Sequence, residues 1–91
     1  MIIALDWDKT YTEDTVLFSE FVKIAESRGH TVIIVTARPE SHQIANPPSG
    51  IDVVYADHEW KYSASLKAGY KVDIWIDDMP NMIMPQGKLD F

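Results

Sequence analysis

The sequence predicts a single α/β domain with a mainly parallel sheet of about four strands in a three-layer α/β/α arrangement. Short, continuous apolar runs alternate with segments of helical periodicity, no internal repeat or linker interrupts them, and 91 residues allow only one small domain. Continuous apolar strands are typical of parallel sheets, because helices cover both faces. We therefore expect the carboxyl ends of the strands to share one edge, where ligands bind in such folds.

Each strand is predicted from a short apolar run. The first run ends at Asp6, the second is β-branched at every position, the third is weaker, and the fourth ends at Asp77 and Asp78. The four predicted strands are residues 2–6, 31–35, 51–55 and 72–76.

Three helices are predicted between the strands. In the first, apolar residues recur at spacings of three and four, with Asp14 or Thr15 as the N-cap and Gly29 as the C-terminal stop. The second is short and ends at the proline-rich residues 46–50, and the third stops at Gly69. The predicted helices are residues 14–28, 40–45 and 59–68.

The tail, residues 79–91, contains two prolines and a glycine, so we expect irregular structure or a simple terminal strand. Its apolar side chains could dock against the sheet or supply a dimer contact. These side chains are Met82, Ile83, Met84 and Phe91.

The composition limits the kinds of function. A hydrophobic fraction of 46% is enough for a core, which argues against intrinsic disorder. The absence of cysteine excludes a disulfide scaffold, a cysteine-ligated metal site and thiol catalysis, and it fits a reducing cytoplasm. A net charge of -6 argues against a general nucleic-acid binder. No apolar run approaches the roughly 18 residues that a membrane span needs, so we expect a cytoplasmic protein.

Polar side chains follow the predicted strands. Thr36 and Arg38 follow the second strand, and Asp57 and His58 follow the third. Like charges held a few ångströms apart repel, and a divalent cation relieves this repulsion. Oxygen ligands without histidine or cysteine favour a hard metal such as Mg²⁺. The carboxylates expected to meet at this edge follow the first and fourth strands: Asp6, Asp8, Asp77 and Asp78.

The order of these residues resembles that of a known family. The segment Asp6-Trp7-Asp8-Lys9-Thr10 is similar to the first motif, Asp-x-Asp-x-Thr, of the haloacid dehalogenase (HAD) superfamily of phosphohydrolases. Val35-Thr36 resembles the second motif and Ile76-Asp77-Asp78 the fourth, so that the resemblance spans residues 2–80. It implies a Rossmann-like, HAD-like hydrolase domain over residues 1–91, with strand order 3-2-1-4.

The third motif of that family is a lysine near the start of the helix before the fourth strand. This helix should run antiparallel to the strand, so its N-terminus lies at the edge where Asp77 lies. Lys61 is near that N-terminus, whereas Lys67 is about 9 Å further along the axis. We therefore assign Lys61 to the third motif and expect Lys67 on a solvated helix face.

The resemblance implies a Mg²⁺-dependent phosphatase that acts through an aspartyl-phosphate. Asp6 would be the nucleophile, and Asp8 the general acid and base. The implied metal ligands are Asp6, the backbone carbonyl of Asp8, and Asp77, with Asp78 contributing either directly or through water.

The remaining implied roles concern the phosphate. Thr36 and Lys61 would hold the phosphoryl oxygens. Lys9 stands where many family members have glycine and could contact the substrate. Thr10 would support the loop more than react, and Arg38 suits a phosphate but could equally be solvated.

The chain leaves little room for a cap domain, which many family members carry. Residues 9–15 separate the first motif from the first helix, and residues 38–59 are largely strand and loop. An open site accepts either a small phosphate ester or a phosphate on a macromolecule, or needs a second subunit to exclude water. We expect a capless member, with a homo-oligomer as one way to cover the site.

Three alternatives compete with this interpretation. A receiver domain of two-component signalling has similar groups, but its acidic pair comes first. A HAD-fold module could bind metal or phosphate without turnover, although both Asp6 and Asp8 are present. In a structural α/β domain, Thr36 would be a helix cap and Arg38 a surface cation, and a lone Asp-x-Asp is functional in only about one case in ten.

Overall fold

The computed structural model describes residues 1–85, and its centre is a four-stranded parallel sheet in the order β3-β2-β1-β4. This confirms the predicted α/β class, the parallel sheet and the strand order. The central strand β1 pairs with β2 on one side and β4 on the other, which places Leu5 beside Ile34 and Ile76. The strands are β1 (Ile2–Leu5), β2 (Thr31–Thr36), β3 (Val53–Tyr55) and β4 (Ile74–Ile76).

Two α-helices, α1 (Thr15–Ser27) and α2 (Lys61–Lys67), connect strands of the sheet. Asp14 is the N-cap of α1, since its carboxylate accepts a hydrogen bond of 2.9 Å from the backbone N–H of Leu17. The helix α2 is shorter than the predicted residues 59–68, because the backbone is still extended at Trp60. Within residues 1–85, neither helix is long and apolar enough to cross a membrane.

The helix predicted at residues 40–45 is wrong. The structure has only a three-residue 3-10 turn there, Glu40–His42. Seven residues between Pro39 and Pro47 are too few to offset the cost of nucleating a helix. Ile44 is the only buried side chain in the segment, so there is no apolar face to stabilise one.

The outer strands β3 and β4 are each two residues shorter than predicted. Before β4, Asp73 bonds to Ile2 with both its backbone and its side chain. The Asp73 N–H donates to the Ile2 carbonyl at 2.8 Å, and its carboxylate accepts from the Ile2 N–H at 2.8 Å. A side-chain bond therefore replaces one rung of the backbone ladder at this end of β4.

The buried apolar side chains form two clusters that take alternate residues of β1. Ile3 and Leu5 belong to a cluster that includes Val22 of α1, whereas Ala4 belongs to a cluster that includes Ala64 of α2. Side chains on both faces of β1 are thus covered, which explains why its sequence is apolar throughout.

The tail leaves the sheet through a 3-10 turn, Pro80–Met82, rather than a strand. Ile83 is buried, and its carbonyl accepts a hydrogen bond of 2.8 Å from the Tyr62 N–H of α2. Met82 and Met84 are exposed, so among residues 1–85 only Ile83 of the side chains predicted to dock does so. Phe91 lies outside the described residues.

Candidate functional site

The pairing of β1 with β4 brings two carboxylates to one edge of the sheet. Asp6 follows β1 and Asp77 follows β4, and the Asp6 N–H donates to the Ile76 carbonyl at 2.9 Å. The next residue, Asp78, completes a group in which one carboxylate oxygen from each residue lies within 4.8 Å of the others. Three sequence-predicted metal ligands are therefore clustered at the edge where parallel sheets bind ligands.

Lys61 places a single ammonium among these carboxylates. Its Nζ lies 2.8 Å from Oδ1 of Asp6 and 2.6 Å from Oδ2 of Asp77. The residue is only 3% exposed, although it is a lysine. Lys67 lies on the surface, where it pairs with Glu59. The structure thus brings Lys61 into the predicted site and keeps Lys67 out of it.

Thr10 ties the loop after β1 to the loop after β4. Its hydroxyl lies 3.0 Å from Oδ2 of Asp6 and 3.2 Å from Oδ1 of Asp78, and it accepts from the Asp78 N–H at 3.2 Å. The single hydroxyl proton can serve only one of the two carboxylates at a time. These contacts agree with the loop-supporting role expected for Thr10.

The carboxylates do not share their negative charge equally. Burial is the largest effect and raises the pKa of Asp6, the Lys61 hydrogen bond lowers it and the neighbouring Asp78 carboxyl raises it. Together these effects bring the pKa of Asp6 to about 6. The pKa of Asp78 is lowered, first by its side-chain hydrogen bond with Asp6 and then by Thr10. Below about pH 6 Asp6 is therefore mainly protonated, whereas the Asp78 carboxyl stays ionised to lower pH.

The donor set fits a hard divalent cation. With all three carboxylates ionised, the single positive charge of Lys61 leaves two negative charges uncompensated. The donors are oxygens, the atoms that bind Mg²⁺ and Ca²⁺ best. Within residues 1–85 this is the only close group of three or more acidic, histidine or cysteine side chains.

Asp8 is engaged elsewhere at the rim of the site. Its two carboxylate oxygens accept hydrogen bonds from Nε and Nη2 of Arg38, at 2.8 and 2.7 Å. This two-pronged contact lowers the pKa of Asp8 and holds the side chain in its ionised form. Arg38 also donates from Nη1 to the Gln43 carbonyl at 3.2 Å, so the guanidinium has protein partners on two sides.

Thr36 lies at the end of β2, as predicted, but its side chain is almost fully buried. Its hydroxyl accepts a hydrogen bond of 3.3 Å from the Arg38 N–H, which shapes the turn after the strand. The next residue, Ala37, reaches the site and lines its cleft.

Lys9 has a left-handed backbone with φ of 63°, a conformation that favours glycine. Its N–H donates to the hydroxyl of Thr12 at 3.0 Å, which closes the loop after β1. Behind that loop, Trp7 is buried and stacks on Tyr11 with ring centroids 4.8 Å apart, as a packing residue would.

The carboxylates open onto a cleft of about 230 Å³. Its wall combines the charged side chains described above with three apolar residues, Ala37, Met79 and Met82. Sequence reasoning missed this apolar part of the site. The two methionines follow the acidic pair closely in the chain, and this proximity was the signal that could have placed them in the site.

Asp57 and His58, which follow β3, do not join the acidic cluster. Their backbones are both left-handed, with φ of 47° and 67°, and His58 is exposed. His58 lines a neighbouring cavity together with Trp60, a residue for which the sequence analysis predicts no role.

A comparison of this chain with protein-family models, curated proteins and solved structures finds no match.

Proposed function

We propose that this chain is a Mg²⁺-dependent phosphomonoester hydrolase of the HAD type that acts through an aspartyl-phosphate. The observation that carries the proposal is the position of Lys61, whose ammonium lies 2.8 Å from Asp6 beside two further carboxylates. A nucleophilic carboxylate, a cation for phosphoryl oxygens and an oxygen-rich metal site are the three parts that the chemistry needs. They occur here in the chain order of the family motifs.

The proposal extends to the finer architecture, a three-layer, Rossmann-like domain without a cap. Support comes from the two core clusters, one including α1 and the other α2, which share alternate residues of β1. The left-handed φ of 63° at Lys9 also supports it, because many family members have glycine at this motif position.

In the first step, a carboxylate oxygen of Asp6 attacks phosphorus and the bond from phosphorus to the ester oxygen breaks. Asp8 donates a proton to the departing oxygen, so that an alcohol leaves. Lys61 stabilises the negative charge on the phosphoryl oxygens. Asp6, Asp77, Asp78 and the Asp8 carbonyl would hold Mg²⁺, which would neutralise Asp6 and polarise the phosphoryl group.

In the second step, Asp8 takes a proton from water, whose oxygen attacks phosphorus and breaks the bond to Asp6. The contact with Arg38 favours the ionised Asp8 that this step requires. Protonated Asp8, which the first step requires, would weaken that contact. Arg38 is then free to bind a phosphoryl oxygen, which suits its guanidinium.

The test is hydrolysis of an aryl phosphate by the purified chain with Mg²⁺ and with EDTA. We expect metal-dependent release of phosphate that Asp6→Asn abolishes, because an amide cannot form the covalent intermediate. Glu13→Gln, a change outside the site, serves as the control and should leave the rate unchanged. Wild-type protein without metal-dependent turnover on a broad panel of phosphate esters would contradict the proposal.

A non-catalytic module that binds metal or phosphate is the second candidate. The contact between Asp8 and Arg38 favours it, because it engages the proposed acid in a stable pair of hydrogen bonds. This candidate predicts Mg²⁺ binding by calorimetry, weakened in Asp77→Asn, without phosphate release from any ester.

A further inference from the structure

A second cavity, of about 240 Å³, adjoins the acidic cleft. The two share Ala37, Lys61 and Met82 in their walls, so they adjoin along these three residues. None of the proposed chemical steps uses this second cavity.

The wall of the second cavity suits an aromatic group. Trp60 is 43% exposed and Met82 is 44% exposed, so both side chains present apolar surface to it. A tryptophan ring offers a flat face for stacking, and a methionine sulfur makes favourable contacts with ring edges. An aliphatic group would gain burial there but not stacking.

Trp60 and Lys61 line the same cavity, and the backbone at Trp60 is fixed at the start of a helix. Trp60 directly precedes Lys61, and its carbonyl accepts a hydrogen bond of 3.0 Å from the Ala64 N–H, which fixes it at the start of α2. The loop before it contains two successive left-handed residues other than glycine, Asp57 and His58. Such backbone strain is concentrated at ligand sites, because the surrounding structure must maintain it.

We propose that the second cavity binds the leaving group of the phosphate ester, and that this group carries a planar aromatic ring that stacks on Trp60. The inference rests on the proposed phosphatase function and specifies its substrate class. A phosphoryl group beside Lys61 would place the ester oxygen between the two cavities, so that the rest of the substrate extends toward Trp60.

The experiment compares methyl, cyclohexylmethyl and benzyl phosphate, which are all esters of simple alcohols. Stacking should lower the KM of benzyl phosphate roughly tenfold below that of methyl phosphate, and also below that of cyclohexylmethyl phosphate. In Trp60→Ala the KM ratio of methyl to benzyl phosphate should fall about tenfold, whereas Trp60→Phe should retain most of it. Leu66→Ala, at an exposed leucine of the same helix, should leave the ratio unchanged.

Equal KM values for the three esters, or an unchanged ratio in Trp60→Ala, would overturn the aromatic subsite while the phosphatase function stands. Absence of turnover for every ester would overturn the phosphatase function instead. In that case benzylphosphonate and methylphosphonate are titrated with Mg²⁺ while the indole N–H signal of Trp60 is followed by NMR. Tighter binding of benzylphosphonate with a shift of that signal supports the subsite, and equal binding of the two phosphonates rejects it.

Discussion

Lys61 is the residue around which the candidate site is organised. Lysines are almost never fully buried unless they are paired, and this one contacts both Asp6 and Asp77. Removal of the ammonium would leave neighbouring carboxylates without a compensating charge. Its position therefore matters for the folded chain and, under the proposed function, for a bound phosphate.

A matched pair of variants tests the role of Lys61. Lys61→Met should lower kcat/KM for an aryl phosphate at least 100-fold, because a charged donor to the phosphoryl oxygens is lost. Lys67→Met removes a surface lysine of the same helix and should change the rate less than twofold. Circular dichroism confirms that both variants fold. Equal rates for the two variants would contradict the assignment.

Asp8 gives a second prediction at the level of single residues. In Asp8→Asn the ester can still transfer its phosphoryl group slowly to Asp6, but no base activates water for the second step. Intact-protein mass spectrometry should then detect a covalent phosphoryl adduct after incubation with an aryl phosphate and Mg²⁺. Asp6→Asn is the control and should form none, and an Asp8→Asn protein without adduct would count against the acid–base role.

The sequence predicts the acidic cluster better than its rim. Asp6 and Asp77 each follow an apolar strand, and parallel pairing alone is enough to bring them together. The contact between Asp8 and Arg38 joins residues 30 positions apart. It depends on side-chain geometry after the loops have folded, which residue types and spacing do not reveal.

At the scale of elements, β1 is the strand on which both the core and the site depend. It pairs with two neighbours, and Leu5 is fully buried one residue before Asp6. Loss of packing around Leu5 would therefore affect the residues of the site directly.

The substitution Leu5→Ala measures this dependence. It should lower the free energy of unfolding by about 2–5 kcal/mol, because a buried side chain is replaced by a cavity. Leu66→Ala removes the same atoms from an exposed position and should cost less than about 0.5 kcal/mol. Urea denaturation followed by circular dichroism provides the comparison, and similar losses in the two variants would contradict the central role of β1.

Elements with strong signals are predicted correctly and those with weak signals are not. The helix α1 has a capping aspartate and repeated apolar positions, and β2 is β-branched at every position. The segment at 40–45 has only a few helix-forming residues between prolines. Only Ile44 in it is buried, so packing against the rest of the domain does not stabilise a helix there. The start of α2 could not be placed, because the left-handed backbone before it carries no glycine as a signal.

At the scale of the whole molecule, the raised pKa of Asp6 couples folding to pH. Asp6 titrates near 3.8 in an unfolded chain and at about 6 in the folded one, so the folded state binds its proton more tightly. The stabilisation from this proton is fully present below about pH 3.8 and is lost as pH rises through 6.

The prediction concerns urea unfolding in EDTA at pH 4 to 7. Between pH 4 and pH 7 wild type should lose the stabilisation from the Asp6 proton, on the order of 3 kcal/mol, whereas Asp6→Asn carries no titrating group at this position. The free energy of unfolding of Asp6→Asn minus that of wild type should therefore increase by this amount from pH 4 to pH 7. Taking the difference largely cancels the contributions of groups that do not contact Asp6. A pH-independent difference would contradict the raised pKa of Asp6. Mg²⁺ should stabilise wild type more than Asp6→Asn above pH 6, because it replaces the lost proton.

We expect the pairing of β1 with β4 to form later during folding than the pairing of β1 with β2. Ile2 bonds to Asp73 across 71 positions of the chain, whereas β1 and β2 are much closer in sequence. The entropy cost of closing so long a loop makes distant contacts slow to form. Because Asp6 and Asp77 meet only through this pairing, the carboxylates remain apart until the last strand joins the sheet. The core of the domain therefore forms before the carboxylates come together. Their mutual repulsion arises only when a folded core is present to oppose it.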